Sequence, residues 1–286
     1  MTQSSIAWGF KVLTRLAGSL CFVAHECGAS LIGVLGFLKA RRRRALQQTP
    51  LGQAQRAIID RNVAYASRLT DAERSELEGL VQVFLAEKTI EGCGGLELTD
   101  EIRVTIAAQA CVLLLHRDTD VYPELESILV YPHAFKVKAR RAEGGVVVES
   151  DDARLGESWT RGLVVLAWDH ARAGAAHLGG DNVILHEFAH QLDAEDGAMD
   201  GAPDLEGRAS YAMWARVLGA EFQDLSERVH AGRPADIDAY GAVSPPEFFA
   251  VVTEMFFEKP LALRTRHPAL YDELATFYKQ DPAARA

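Results

Sequence analysis

Two histidines four residues apart, His186 and His190, lie in a segment of the chain that is otherwise mostly apolar. Residues at this spacing share one face of an α-helix, one turn apart, so both imidazoles can point at a single ion. The pattern predicts a helix over residues 182–192, with Asp181 or Asn182 as its cap.

Glu187 follows the first histidine and completes an H-E-x-x-H pattern, which is typical of metallopeptidases. Neutral imidazole suits Zn²⁺, and a catalytic zinc uses three protein ligands while a water takes the fourth position. We expect one Zn²⁺ per chain, bound by His186 and His190, and a peptide or protein substrate. Glu187 is predicted to take a proton from the metal-bound water and to pass it to the leaving amine.

A five-residue pattern of this kind can also occur by chance. The alternative interpretation is a partly exposed helix with two surface histidines and no metal. A second His-Glu pair provides an internal comparison, because His25-Glu26 has Ala29 where a second ligand would lie. No metal site is expected there.

The third ligand has three candidates. Asp196 stands where one zinc-peptidase pattern has its third ligand, but Asp193 replaces the glycine that would let the chain turn back. Glu247 lies in the first turn of a helix predicted from Ser244, where its other role would be capping. Glu254 lies seven residues later, near the same face of that helix. It could be a ligand, a partner of a ligand histidine or a solvated group. We favour Glu247.

Tyr240 precedes Glu247 by seven residues. A phenol close to a metal could donate a hydrogen bond to the oxyanion that forms at an attacked carbonyl. The alternative is a half-buried loop tyrosine without a catalytic role.

The overall composition is that of a globular protein. The chain has 286 residues and a formal charge of -10, which gives no reason to expect nucleic acid as a partner. Its four cysteines form no C-x-x-C pair, and we expect free thiols in a reducing, cytoplasmic compartment.

Residues 1–46 form a predicted N-terminal extension that differs from the rest of the chain. Ala17 to Leu38 is mostly apolar but contains His25 and Glu26, and Arg41 to Arg44 follow. Three interpretations stay open: a membrane anchor through residues 17–44, a packed helix, or an extension outside the working domain.

Residues 47–286 are predicted to form one α+β domain, with a small mixed sheet and a pair of metal-binding helices. Short runs rich in branched apolar residues predict strands. In the segments before and after these runs, apolar residues recur at helical spacing and predict helices. The predicted strands are Ile128–Tyr131, Gly145–Val148 and Leu163–Trp168. The predicted helices are Leu51–Ser67, Asp71–Lys88, Asp100–Leu115, Asn182–Leu192 and Ser244–Glu258.

The motifs together resemble those of the Mlc titration factor A family of bacterial zinc peptidases. The likeness rests on His186-Glu-Phe-Ala-His190-Gln-Leu-Asp193, on Tyr240 and on Pro246-Glu247-Phe-Phe-Ala250. It runs from about Leu51 to Asp281 and leaves the N-terminal extension outside.

The resemblance implies a zincin-like, gluzincin-type fold, similar to the catalytic domain of anthrax lethal factor. It implies that Glu247 is the third zinc ligand, that Tyr240 is the oxyanion partner, and that the activity is of aminopeptidase type. It also implies a transcriptional repressor, Mlc, as a possible partner. The family's upstream histidine, which blocks the metal at rest, is not matched here, because Val148 and Glu149 occupy that region.

Two functions therefore remain open: peptide hydrolysis, and sequestration of a repressor without catalysis. A purely structural zinc site is disfavoured, because such sites close with four protein ligands. For a peptidase, the strand at Leu163–Trp168 is a candidate edge to which an extended substrate could pair.

Overall fold

Helices of the domain begin where the sequence offers a capping side chain or a proline. Thr70, Thr99, Asn182 and Ser244 each accept a hydrogen bond from the backbone amide three residues later. In chain order the helices are α1 (Gln53–Asn62), α2 (Asp71–Glu87), α3 (Asp100–Val112), α4 (Trp168–Ala176), α5 (Val183–Asp193), α6 (Gly207–His230), α7 (Pro245–Glu258), α8 (Pro260–Arg266) and α9 (Pro268–Tyr278).

The structure is a computed structural model and describes residues 36–118, 120–133, 139–143, 146–150, 162–205 and 207–286. The chain divides into two units, residues 1–48 and 49–286. In the first unit, residues 36–47 are helical and largely exposed. Residues 1–35 lie outside the described ranges, and so does most of the segment considered as a membrane anchor. The separation of an extension at residues 1–46 from a working domain stays a prediction.

The described strands form two small sheets. Strands β1 (Thr89–Gly92), β2 (Ser127–Tyr131) and β5 (Leu163–Ala167) are parallel, in the order β1-β2-β5. Strands β3 (Ala139–Glu143) and β4 (Val146–Ser150) form an antiparallel pair. In the three-stranded sheet β5 is an outer strand, and its pairing with a substrate stays a prediction.

The predicted α+β, zincin-like fold class is confirmed, and helices dominate it. Within the predicted helix at Leu51–Ser67, α1 ends at Asn62, and a 3₁₀ turn at Ala64–Arg68 follows. The break lies at Val63, whose backbone (φ -118°, ψ 88°) is not helical. The sequence analysis missed the long helix α6, of which only Trp214, Leu218 and Leu225 are buried, so that its apolar stripe is weak.

Aromatic contacts fix the two site-bearing helices in the core. On α5, the ring of Phe188 lies 4.8 Å from that of Tyr122 and 5.7 Å from that of Phe84. On α7, Phe249 packs against Trp214 at 5.6 Å and against Phe277 at 5.8 Å. Such pairs are rigid and bury large areas, so the faces of α5 and α7 that carry polar groups are held in a defined orientation.

Two further expectations from the sequence concern a membrane-spanning helix and the state of the cysteines. Within the described ranges, no helix combines the length and the apolar character that crossing a bilayer requires. Cys93 and Cys111 are free thiols, as predicted, whereas Cys21 and Cys27 lie outside the described residues.

A carboxylate in the first turn of α2 connects three parts of the domain. Glu73 accepts hydrogen bonds from Thr70 N at 2.9 Å and Thr70 Oγ1 at 2.7 Å, which completes a capping box. Its other oxygen lies 2.8 Å from His116 Nε2 and pairs with the guanidinium of Arg285. Burial alone would raise the pKa of Glu73, but these contacts lower it to about 2.

Replacing Glu73 is predicted to destabilise the domain at neutral pH but not in strong acid. A carboxyl group with a lowered folded-state pKa stabilises the fold above its unfolded pKa, and this contribution is lost as the pH falls towards about 2. Glu73→Gln should cost about 1–2 kcal/mol at pH 7 and progressively less below pH ~4. Urea unfolding across this pH range measures the difference.

The matched control is Glu227→Gln, which alters an exposed carboxylate on α6. It should leave the free energy of unfolding within ~0.5 kcal/mol of the wild type at every pH. A Glu73→Gln difference that stays constant with pH would contradict the assigned role of the charge.

Candidate metal centre

The helix α5 carries the two histidines on one buried face. The side-chain oxygen of Asn182 accepts a hydrogen bond from Leu185 N at 3.2 Å and caps the helix, as the sequence predicted. The ring centroids of His186 and His190 lie 4.9 Å apart, and the two residues are 8% and 5% exposed. Two nearly buried imidazoles one turn apart require polar partners, and these come from another helix.

That other helix is α7, whose first turn supplies Glu247. Ser244 Oγ caps the helix by accepting from the backbone N of Glu247 at 3.4 Å, and Pro245 occupies the first position. The carboxylate of Glu247 points instead at the histidines: its Oε2 lies 3.0 Å from His186 Nε2 and 3.4 Å from His190 Nε2. The capping alternative therefore does not describe the orientation of this side chain.

The donor set fits a divalent metal. One ligand atom each from His186, His190 and Glu247 lies within 4.8 Å of the other two. Zinc–ligand bonds of about 2.0–2.1 Å in a tetrahedral arrangement separate neighbouring ligand atoms by roughly 3.3 Å. The distances from Glu247 Oε2 to the Nε2 atoms of His186 and His190, 3.0 and 3.4 Å, are close to this value. Two imidazoles and one carboxylate also form a set that holds catalytic zinc in other peptidases and leaves one position open.

The charges around the histidines favour a positive group at this point. Burial by itself would lower the pKa of His186, but hydrogen bonds to Glu247 and Glu254 raise it to about 10. For Glu247, burial acts in the opposite direction, and the contacts with both histidines hold its pKa well below the usual value. Carboxylates thus stabilise positive charge here, whether an imidazolium or a bound cation carries it.

Glu254 contacts the first histidine from the opposite side of the ring. Its Oε1 lies 2.8 Å from His186 Nδ1, and its Oε2 accepts from Asn182 N at 2.5 Å. A carboxylate that accepts a hydrogen bond from Nδ1–H fixes the ring so that Nε2 faces Glu247 and is the nitrogen available to a metal. Of the roles considered for Glu254, this geometry matches a partner of a ligand histidine.

Tyr240 lies against the site in a short 3₁₀ turn, Ala239–Ala242. Asp238 caps the turn by accepting from Tyr240 N at 2.8 Å. The phenol ring stacks on the imidazole of His186, with centroids 5.7 Å apart and planes inclined by 24°. The sequence singled out this tyrosine, and the structure places its ring beside the predicted metal ligand.

Glu187, the catalytic base predicted from the sequence, follows His186 on α5 and is buried. It is 1% exposed, and its charge acts on the neighbouring His186. A carboxylate at this depth is shielded from bulk water, so its interactions with nearby groups are strong.

Asp196, the alternative third ligand, takes another role. It is exposed, and its carboxylate accepts from Ala198 N at 2.9 Å in a local turn. The preceding Asp193 is fully buried and accepts from Gly201 N with both oxygens, at 3.0 and 2.9 Å. Gly201 has φ +83°, and a Cβ there would lie 2.6 Å from Pro245 O, so the loop packs directly on the start of α7.

The sequence analysis did not find Glu258, and it assigned only a capping role to Asn182. Both are buried, and Asn182 Nδ2 donates to Glu258 Oε1 at 2.9 Å. The available signal was the spacing of Glu247, Glu254 and Glu258 on one side of an otherwise apolar helix.

Comparison with known proteins gives an independent indication of a divalent metal. The sequence model of a family described as "Glucose-regulated metallo-peptidase M90" matches residues 37–279. An uncharacterized protein of Synechocystis sp. is 44% identical over 244 residues, which cover 84% of this chain and 89% of the relative.

Two further relatives carry the name Mlc titration factor A. The Mlc titration factor A of Serratia proteamaculans is 32% identical over 243 residues, covering 84% of this chain and 91% of that protein. The Mlc titration factor A of Escherichia coli is 33% identical over 221 residues, covering 76% and 83%. The match extends through both site-bearing helices, and the chain belongs to the glucose-regulated metallopeptidase family M90.

Proposed function

We propose that this protein hydrolyses peptide bonds with one Zn²⁺ bound by His186, His190 and Glu247. The observation that carries the proposal is the convergence of two imidazole Nε2 atoms on one carboxylate oxygen, at 3.0 and 3.4 Å. Membership of a metallopeptidase family supports a divalent metal at such a cluster. Zinc is the choice that suits this donor set, because borderline imidazole ligands and a low coordination number favour it.

Glu187 acts as the general base in this proposal. A zinc ion held by His186, His190 and Glu247 would polarise the carbonyl and make water more acidic. Glu187 accepts a proton from the attacking water as the water oxygen bonds to the carbonyl carbon. It then gives that proton to the amide nitrogen, and the C–N bond breaks to release the amine. Burial of Glu187 supports this role, since the proton is transferred within a site shielded from solvent.

Tyr240 is proposed to donate its phenol proton in a hydrogen bond to the oxyanion that develops on the carbonyl. Stacking on His186 supports the assignment, because it holds the ring at the edge of the predicted metal ligands. The cap by Asp238 fixes the backbone of the same turn.

The substrate is proposed to be a peptide or protein that is cleaved at its free amino end. This aminopeptidase type follows from the family resemblance, and the outer strand β5 offers an edge along which an extended backbone can lie. Comparing a peptide with its N-acetylated counterpart tests the type: an aminopeptidase cleaves only the free form.

Replacing the base should slow turnover strongly and spare the metal. Glu187→Gln keeps the size of the side chain but cannot accept the proton, so kcat should fall by roughly 10²- to 10⁴-fold. Zinc content, measured by atomic absorption, should stay at about one per chain, because no ligand is altered. Glu227→Gln on the exposed face of α6 is the matched control and should retain full activity.

Two results would contradict the proposal. If Glu187→Gln hydrolysed peptides at the wild-type rate, Glu187 would not be the base. If the wild type bound zinc but cleaved no member of a broad peptide library, the hydrolytic function would be wrong.

Removing the phenol hydroxyl should slow the chemical step without weakening substrate binding. Tyr240→Phe preserves the stacking on His186, so we expect kcat to fall roughly 100-fold while KM changes little. Steady-state kinetics on the same peptide measure both constants. Tyr211→Phe, which alters a tyrosine of α6 outside the site, should leave both constants unchanged. A Tyr240→Phe variant with the wild-type kcat would refute the assignment.

A second candidate function is binding of a transcriptional repressor. It is supported by the name that the relatives bear, Mlc titration factor A. Such binding needs a surface rather than a base, so the Glu187→Gln variant should capture the repressor Mlc as well as the wild type does. Loss of capture in that variant would tie binding to the catalytic site.

A further inference from the structure

Asn182 uses each of its polar groups at the junction of α5 and α7. Its backbone N donates to Glu254 Oε2 at 2.5 Å, and its Nδ2 donates to Glu258 Oε1 at 2.9 Å. Its side-chain oxygen accepts a hydrogen bond from Leu185 N at 3.2 Å, and its backbone carbonyl accepts one from His186 N at 3.0 Å. The residue is 1% exposed, so none of these bonds competes with bulk water.

Glu258 fixes the same segment from one helical turn further along α7. It is 5% exposed, and its second oxygen accepts a hydrogen bond from Gly180 N. Glu254 and Glu258, four residues apart, therefore hold the backbone segment 180–182 that leads into the metal-binding helix. Two carboxylates close together and buried are costly, but the amides at the N-terminus of α5 offset their charge.

The hydrogen bonds form one path from Glu258 to the metal ligands. Glu258 bonds Asn182, Asn182 bonds Glu254, and Glu254 Oε1 lies 2.8 Å from His186 Nδ1. His186 Nε2 then faces Glu247. A shift of Asn182 would move one oxygen of Glu254 and thereby turn the carboxylate that orients the His186 ring.

We propose that Asn182 and Glu258 are positioning residues of the metal centre, which hold Glu254 in its orientation on His186 and so slow the release of the metal. The inference rests on the proposed function, since it takes His186 as a metal ligand. Neither residue touches substrate or metal. Groups that orient a ligand histidine typically change metal affinity by about 10- to 100-fold, and the more remote Asn182 and Glu258 should act at the lower end of that range.

A reciprocal exchange of donor and acceptor tests the proposal. Asn182→Asp keeps the cap on Leu185 N but replaces the Nδ2 donor with an oxygen that repels Glu258. Glu258→Gln cannot accept from both Asn182 Nδ2 and Gly180 N, so one of the two bonds is lost. In the double variant, the amide at position 258 donates to the carboxylate at position 182, still accepts from Gly180 N, and the total charge is unchanged.

The measurement is the rate at which the zinc-loaded full chain releases its metal to an excess of a chromogenic chelator. Each single variant should release zinc about 10-fold faster than the wild type, and the double variant should return to within about 3-fold of it. Glu227→Gln, which alters an exposed carboxylate on α6, is the control and should release zinc at the wild-type rate.

The outcomes separate this inference from the proposed function. The positioning role alone would be overturned if both single variants released zinc at the wild-type rate. It would also be overturned if the double variant released zinc as fast as the faster of the two single variants. A wild type that binds no zinc would overturn both. Thermal unfolding of the metal-free proteins shows whether each variant folds. If one single variant does not fold, the zinc-release rates of the other single variant and of the double variant still test the positioning role.

Discussion

The contact between α5 and α7 is the interaction on which the candidate site depends. The histidines come from one helix and the carboxylates from the other, so neither helix alone can form the three-residue cluster. Phe188 anchors α5 among Phe84 and Tyr122, and Phe249 anchors α7 against Trp214. Rigid aromatic packing on the outer faces leaves the inner faces to present polar groups at distances of about 3 Å.

The polar side of this contact is unusual because acidic groups outnumber basic ones. Glu247, Glu254 and Glu258 all face α5, and burial disfavours their charge. The arrangement is compensated by the two histidines, by the amides at the start of α5, and by a cation at the cluster once bound. We interpret the site as one in which the fold holds negative charge in place for a divalent metal to neutralise.

Sequence reasoning reached the local features of the site because they depend on short spacings. The positions of His186 and His190 on one helical face, the cap at Asn182 and the helix start at Ser244 follow from neighbouring residues alone. The preference for Glu247 over Glu254 relied partly on the family resemblance, since nothing local shows which distant side chain faces a histidine. The structure brings Glu247 to the histidines across 61 residues of sequence separation from His186.

Other features depend on tertiary contacts that a single sequence does not display. Helix α6 was missed because few of its residues are buried, and the break at Val63 was missed because helical spacing continues through it. The role of Glu258 depends on the loop at Gly180 lying beside the end of α7, 78 residues away in sequence. For Glu258 the decisive partner is remote in the chain, where neither propensity nor periodicity carries information.

The central claim is that two imidazoles and one carboxylate bind zinc in this protein. X-ray absorption at the zinc edge of the purified full chain tests it most directly, since it reports the ligands around the metal without requiring a substrate. The account predicts about one zinc per chain with only nitrogen and oxygen ligands at ~2.0–2.1 Å, including the multiple scattering of about two imidazoles. A sulfur shell at ~2.3 Å, or a protein that retains no zinc, would contradict it.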